Sequence, residues 1–139
     1  MVETPWIYKG CPFTDPGDSW GFVYLITHLP TDRKYVGKKF FTKSKTRQVK
    51  GKKKRSRVES DWQTYFGSSA RVQEDLERDG ESAFTREILH LCTSKAECSY
   101  FESLEIFSRH ALISPQYYND WVSCRIRKAH LKSLLLSET

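Results

Sequence analysis

Gly21-Phe22-Val23-Tyr24-Leu25-Ile26-Thr27 and Lys34-Tyr35-Val36-Gly37 decide the fold. The first run is β-branched and aromatic and reads as a strand. Leu29-Pro30-Thr31-Asp32-Arg33 has turn composition, and the second run opens another strand. So short a connection predicts an antiparallel hairpin. Tyr24 and Tyr35, with ten residues between them, project from the paired strands. Gly37 follows, where a missing side chain lets backbone or substrate come close. A phenolic oxygen both donates and accepts a hydrogen bond, so beside a metal or cation it can position or deprotonate water. Strands also favour tyrosine for packing alone.

Downstream, Ser68 or Ser69 is placed to cap a helix running to Asp79 and stopping at Gly80. Phe84 to Cys92 alternates well enough for a strand, with Phe84, Ile88 and Cys92 on one face, or Leu89 and Leu91 on the other, as the candidates for burial. Ser94, with Glu97 three residues later, resembles a capping box and opens a long helix from Lys95 to about Leu112. Phe101, Leu104, Phe107 and Ala111 recur on it at helical spacing and are expected to face the core. Ser114-Pro115 ends it. Cys124 to Leu136 is a last helix or strand. Upstream, residues 1–20 read as an arm that packs by its rings. The whole is an α+β domain: a small, mostly antiparallel sheet of about three strands, flanked by helices. Its parts are the arm, a domain over 21–120 with a basic insertion at 38–60, and a Lys-Leu-rich extension at 121–139.

The net charge of +6 is unevenly placed. Residues 38–57 hold eleven Lys or Arg and no Asp or Glu, while the other 119 residues carry twelve basic and seventeen acidic groups, a net of −5. A mildly acidic body with one concentrated cationic segment suits a polyanion, most commonly nucleic acid. The candidate phosphate contacts are Lys38, Lys39, Lys43, Lys45, Lys50, Lys52, Lys53, Lys54, Arg55 and Arg57. The centre of this segment lacks apolar periodicity and reads as a loop or partly ordered insertion. No apolar run is long enough to span a bilayer, and Met1 to Lys9 lacks a signal-peptide layout, so an intracellular, cytoplasmic location is expected. The four cysteines form no Cys-x-x-Cys pair. A zinc site from Cys92, Cys98 and His110 can be drawn, but its spacing matches no common zinc pattern.

Gly21-Phe22-Val23-Tyr24, ten residues, then Tyr35-Val36-Gly37 resembles the signature of the GIY-YIG nuclease superfamily. Phe22 and Val36 depart from the pattern, while both tyrosines and the second glycine are kept. Gly67-Ser68-Ser69, the following helix and the strand from Phe84 resemble the superfamily's helix-to-strand passage. Glu102, with Ile106 one turn on, resembles its metal-binding glutamate, and Tyr118-Asn119 the tyrosine-asparagine near the domain's end. The likeness covers Gly21 to Asn119 and looks most like small phage-encoded, homing-type, Seg-like endonucleases.

The resemblance implies a DNA endonuclease that uses Mg²⁺ or Mn²⁺, with Tyr24, Tyr35, Glu102, Asn119 and a cation as site residues. Glu102 would hold the ion and the tyrosines the attacking water. Asn119 would hold local structure or a phosphate. Glu97 as a cap and Glu105 on the surface are the alternatives to Glu102. Arg47 is the first arginine after the second triplet and is the expected cation. Lys39 and Lys43 are alternatives, and Arg55, Arg57 or Arg71 could fold back. A monomer or weak dimer acting on double-stranded DNA is expected, in the host cytoplasm if the chain is phage-encoded. Two other classes compete: a nuclease-like fold that grips nucleic acid without cutting, and a partner-binding protein that docks through Ser123 to Leu136.

Overall fold

A computed structural model describes residues 4–136. Two short strands come first, β1 (Trp6–Tyr8) and β2 (Cys11–Pro12). The hairpin β3 (Gly21–His28) and β4 (Arg33–Phe40) follows, then a second hairpin, β5 (Thr42–Val49) and β6 (Lys52–Glu59). A 3-10 turn at Trp62–Thr64 leads to α1 (Ala70–Asp79), β7 (Phe84–Cys92) and α2 (Lys95–Ser108). The main sheet has five strands in the order β2-β1-β7-β3-β4, and β5 and β6 form a separate two-stranded ribbon. The architecture is the expected α+β, mostly antiparallel type, with more strands than the expected three. The arm of residues 1–20 does more than pack by its rings. β1 joins the sheet parallel to β7, and Trp6 is buried in the core against Phe22 and Tyr24. Residues 1–3 of that arm and 137–139 of the C-terminal extension lie outside the described residues. Among the described residues no helix is long and apolar enough to cross a membrane.

The basic segment is ordered, contrary to the expected loop. β5 and β6 pair in unbroken antiparallel register from Thr42↔Glu59 to Val49↔Lys52. Lys50 and Gly51 turn the chain with φ of 51° and 75°. Two positive φ values in a two-residue loop suit the right-handed twist of the flanking strands. The segment shows no apolar periodicity because neither face of the ribbon is buried: nearly every residue from Lys43 to Arg57 is exposed.

Each face of the main sheet carries its own core. One gathers Trp6, Phe22, Tyr24, Ile26, Trp62 and Tyr118. The other gathers Val23, Leu25, Val36, Cys92, Cys98 and Ile106 under α2. Ser69 caps α1 by accepting the Val72 N–H, and Gly80 ends it with φ 80°. Ser94 caps α2 by accepting the Glu97 N–H. The reciprocal half of the expected capping box is displaced by one residue, because the Glu97 carboxylate accepts from Thr93 N–H at 3.1 Å. α2 presents a different stripe from the expected one. Ala111 is buried and Phe101 half-buried, but Leu104 and Phe107 are 46% and 58% exposed. Cys98, Ser103 and Ile106 face the sheet instead. The helix closes at Ser108, before the expected Leu112, and His110 turns the chain with φ 55°. The expected terminal helix or strand is irregular chain followed by a 3-10 segment, Lys128–Leu134. Ser133 in that segment donates to the Glu97 carboxylate at 2.6 Å.

Arg86 on β7 is a buried cation without a carboxylate partner among its contacts. Its guanidinium donates to the Thr4 and Tyr65 carbonyls. It lies 4.6 Å from the Trp6 ring and 4.3 Å from the Phe66 ring. Burial lowers its pKa to about 10, which leaves it protonated at neutral pH. It ties the arm and the loop before Gly67 to the sheet.

The observed face of α2 sets a stability contrast. Ile106→Ala is expected to cost about 2–5 kcal/mol in urea unfolding. Phe107→Ala, on the face expected from the periodicity, is expected to stay within about 0.5 kcal/mol. The reverse order would contradict the packing described here.

Candidate active site

β4 is an edge strand, and the site is built around that edge. Tyr24 on β3 lies directly opposite Gly37 on β4. Its ring crosses the neighbouring strand at that point. A Cβ added at Gly37 would stand 2.5 Å from Tyr24 Cζ and closer still to the hydroxyl. Glycine is required here to admit the tyrosine side chain, rather than the backbone or substrate expected from the sequence. Gly67, with φ 88°, makes the same allowance from the other side: a Cβ there would meet the Tyr35 ring at 3.3 Å and the Tyr24 hydroxyl at 3.4 Å. The two rings sit 6.2 Å apart. Tyr35 is half-buried and its hydroxyl lies 3.2 Å from Ser68 Oγ.

The outward-facing backbone groups of β4 are satisfied one after another. Lys34 N–H donates to the Gln116 carbonyl and its carbonyl accepts from Tyr118 N–H, at 2.8 and 2.7 Å. Two residues on, the Asn119 side-chain amide takes over. Its Oδ1 accepts from Val36 N–H at 3.0 Å and its Nδ2 donates to the Val36 carbonyl at 2.8 Å. Asn119 therefore acts as a pseudo-peptide on the strand edge, which fits the local-structure role among the two expected for it. Tyr118 anchors the same segment by donating to Asp75 on α1. Two residues further along β4, the Lys38 side chain meets the Glu102 carboxylate. Lys38 Nζ stands 3.7 Å from that carboxylate and donates to Ser99 Oγ at 2.9 Å.

These contacts leave an open cavity of about 240 Å³ at the β4 edge, with Tyr24, Tyr35, Lys38 and Glu102 in its wall and Asp120 and Trp121 at its rim. A neighbouring cavity shares Tyr35, Ser68, Asp120 and Trp121 and adds Arg71 from the first turn of α1. The Arg71 guanidinium lies 5.7 Å from the Tyr118 ring centre. Of the three candidate glutamates only Glu102 faces the cavity. Glu97 is held by Thr93 and Ser133, and Glu105 by His90 and Arg109 at 3.0 Å each.

The expected cation is not at this site. Arg47 is on β5, exposed and opposite Lys54, and lines neither cavity. Lys39 shares the sheet face of Tyr24 and Tyr35 but lines neither cavity, because its ammonium is drawn to Asp61 at 2.6 Å and to the Tyr65 ring at 4.0 Å. Arg55 and Lys43 are on the ribbon. Arg57 is committed to Thr42 and lies over the Trp20 ring at 4.4 Å. Lys38 and Arg71 are the cations beside the tyrosines. Among the described residues no group of three His, Cys, Asp or Glu side chains is gathered to hold a metal, which leaves the Cys92, Cys98 and His110 combination unsupported. Cys92 and Cys98 are both free and buried, and the pressure of Cys92 and burial push the Cys98 thiol up.

Burial pushes the Tyr24 phenol well above its ordinary value, with Tyr65 and Tyr35 adding to the effect. Burial also raises Tyr35, although the Ser68 hydrogen bond works against it. Both are neutral phenols at neutral pH. Burial raises the Glu102 carboxyl as well, with Lys38 opposing. A single desolvated carboxylate beside open, polar space fits a hard divalent ion, which binds one or two carboxylates and otherwise keeps water or takes phosphate oxygens.

Two outcomes follow. Gly37→Ala forces the Tyr24 ring out of its position and is expected to destabilise the fold by about 1–3 kcal/mol, read from thermal unfolding with tyrosine near-UV dichroism. For Glu102 the folded pKa is the higher one, so the folded chain binds that proton more tightly than the unfolded chain. The stabilisation from protonation is complete below the ordinary carboxyl pKa of about 4.3 and is lost as pH rises through the folded value. Glu102→Gln is therefore expected to raise the melting temperature at neutral pH, with the difference closing below pH ~4. A destabilised variant at pH 7 would contradict this.

The family model described as "Putative endonuclease segE, GIY-YIG domain" matches residues 6–122. No curated protein and no solved structure matches the chain. The matched span opens at β1, so it takes in the arm strand and the ribbon along with both tyrosine triplets, α1 and Glu102. The tyrosine hairpin, the edge cavity and that match together establish that the chain belongs to the SegE-type GIY-YIG endonuclease domain family.

Proposed function

We propose that the chain is a divalent-metal-dependent endonuclease that hydrolyses phosphodiester bonds in double-stranded DNA, with its chemistry at the β4 edge cavity. The observation that carries this reading is convergence. Tyr35, Lys38 and Glu102 share one open cavity, and Arg71 adjoins Tyr35 in the next. Glu102 would hold Mg²⁺ or Mn²⁺. When bound, the ion supplies positive charge to polarise a phosphate oxygen and acidify water.

The chain's own residues supply the rest. Tyr35 stands at the cavity wall with its hydroxyl on Ser68 and positions the attacking water. Tyr24, fully buried, fixes the Tyr35 ring. Cationic charge favours the phenolate form of a tyrosine, so Arg71 in the cavity adjoining Tyr35 would promote loss of that phenol's proton to solvent, leaving a phenolate able to take the water's proton. The water oxygen forms a bond to phosphorus, the P–O ester bond breaks, and the leaving oxygen takes a proton from solvent, so that a phosphate monoester and a hydroxyl result. Arg71 offers a planar, bidentate phosphate grip that lysine lacks, so we assign it the role that the sequence had suggested for Arg47. Lys38 neutralises Glu102 and joins the phosphate-facing wall. The ribbon cations hold the DNA backbone. One cavity per chain makes one strand cut per encounter, so a double-strand break needs two copies or two visits. A free-standing, homing-type enzyme acting on DNA in a host cytoplasm is the setting we propose.

The test is cleavage of supercoiled plasmid with Mg²⁺ or EDTA. Cleavage is expected only with the metal. Arg71→Ala and Glu102→Gln are each expected to lower kcat by about 10²-fold or more, and Arg47→Ala to raise KM while kcat holds. Equal rates in all variants would overturn the site. Salt-sensitive binding with no cleavage under any divalent ion would replace the enzyme with a nucleic-acid-binding module.

A further inference from the structure

The ribbon β5–β6 has two faces, and their chemistry differs. Residues opposite one another in an antiparallel pair project to the same side, and the side alternates along the strand. One face carries Lys43, Lys45, Arg47 and Val49 from β5 with Lys52, Lys54, Ser56 and Val58 from β6, five of the eight being cations. The other carries Ser44, Thr46 and Gln48 opposite Arg57, Arg55 and Lys53. At the root of this second face Arg57 is spent on Thr42 and Trp20. Glu59, also on it, accepts from Trp62 Nε1 at 3.0 Å. These contacts fasten the ribbon to the body. Beyond them Ser44, Thr46, Gln48 and Arg55 are exposed.

The split matters because the two sets suit different parts of a duplex. Lysines in a row neutralise phosphates and carry no sequence information. Arginine, glutamine and the hydroxyl residues are the side chains that match base edges: Arg for guanine O6 and N7, Gln for adenine N6 and N7, Ser or Thr for either. A bare two-stranded ribbon also has the right shape. Its strands are about 4.8 Å apart, and the major groove, about 12 Å wide, admits it while the minor groove, about 6 Å wide, does not. Eight residues extend about 26 Å, which spans about eight base pairs at 3.4 Å each. The groove is about 8.5 Å deep, so side chains on the outward face of a seated ribbon lie level with the phosphate walls.

The geometry points to the ribbon as a base-reading arm lying in the DNA major groove, with Thr46, Gln48 and Arg55 turned to the base edges and Lys45, Arg47 and Lys54 contacting the phosphate walls. This rests on DNA being the substrate, as proposed above, and adds how the chain selects where it cuts.

The experiment maps cut sites by sequencing after limited digestion of a random-sequence duplex library with the full chain and Mg²⁺. Three proteins are compared: the native chain, a reading-face triple (Thr46→Ala, Gln48→Ala, Arg55→Lys) and a phosphate-face triple (Lys45→Gln, Arg47→Gln, Lys54→Gln). The reading-face triple is expected to flatten the base preference around the cut and keep the native salt dependence. The phosphate-face triple is expected to keep the preference, weaken binding tenfold or more, and reduce the salt slope by about 0.9 per lost contact. In a second arm, 7-deazaguanine, which removes a major-groove acceptor without altering the protein, is expected to weaken native binding, while a minor-groove ligand such as netropsin does not compete. A native chain that cuts with no base preference, a reading-face triple that keeps the native preference, or competition by netropsin alone would overturn the inference and leave the nuclease reading standing. Absence of cleavage by the native chain under any divalent ion would overturn both.

Discussion

The site depends on one packing contact, the Tyr24 ring laid across Gly37 of the paired strand. The contact needs a residue without a Cβ at the point where the two strands lie in register. It holds the Tyr24 ring beneath Tyr35, and Gly67 closes over both rings from the loop before α1. Arg86 in turn fixes that loop by holding the Tyr65 carbonyl. The second glycine of the tyrosine motif is thus part of the site's architecture. A methyl group there would displace the ring against which the half-buried Tyr35 packs.

The second organising feature is the unpaired edge of β4. An exposed edge strand presents N–H and C=O groups that invite pairing. Here the outward-facing residues meet different partners: the backbone of Gln116 and Tyr118 at Lys34, the Asn119 amide at Val36, and, beside the Lys38 side chain, the Glu102 carboxylate. The last is the costly one. A carboxylate desolvated at a sheet edge is less stable than an amide in its place, and that is the usual mark of a group kept for chemistry. Lys38 softens the penalty at 3.7 Å. Arg86 is a contrasting case, a buried cation held by carbonyls and aromatic faces and placed away from the edge cavity.

Much of this was legible in the sequence, for local reasons. The β3–β4 hairpin announced itself by β-branched runs around a short turn, α1 by Ser69 and Gly80, and β7 by an approximate alternation, although a bulge against β3 puts Cys92 in the opposite core from Phe84 and Ile88. The ribbon was missed because periodicity reports burial, and a strand exposed on both faces has none. Its one signal was Lys50-Gly51, a two-residue turn between runs of equal length. The core stripe of α2 was misjudged because large apolar residues were favoured. The helix buries Cys98, Ser103 and Ile106 and leaves Leu104 and Phe107 outside. The same ribbon carries Arg47 away from the edge cavity. Counting forward from Gly37 reached Arg47, but the ribbon interrupts the path to the helix, and the first helical turn that meets Tyr35 carries Arg71. Asn119 was found by resemblance, and its bond to the Val36 peptide needed coordinates.

We propose that Glu102, Tyr35 and Arg71 surround one phosphate. The most direct measurement is anomalous diffraction from crystals of the Tyr35→Phe chain with a DNA duplex and Mn²⁺. A manganese peak is expected at the Glu102 carboxylate, with a backbone phosphate lying between residue 35 and the Arg71 guanidinium. A manganese peak away from Glu102, or a phosphate held by Arg47 with the edge cavity empty of DNA, would contradict it.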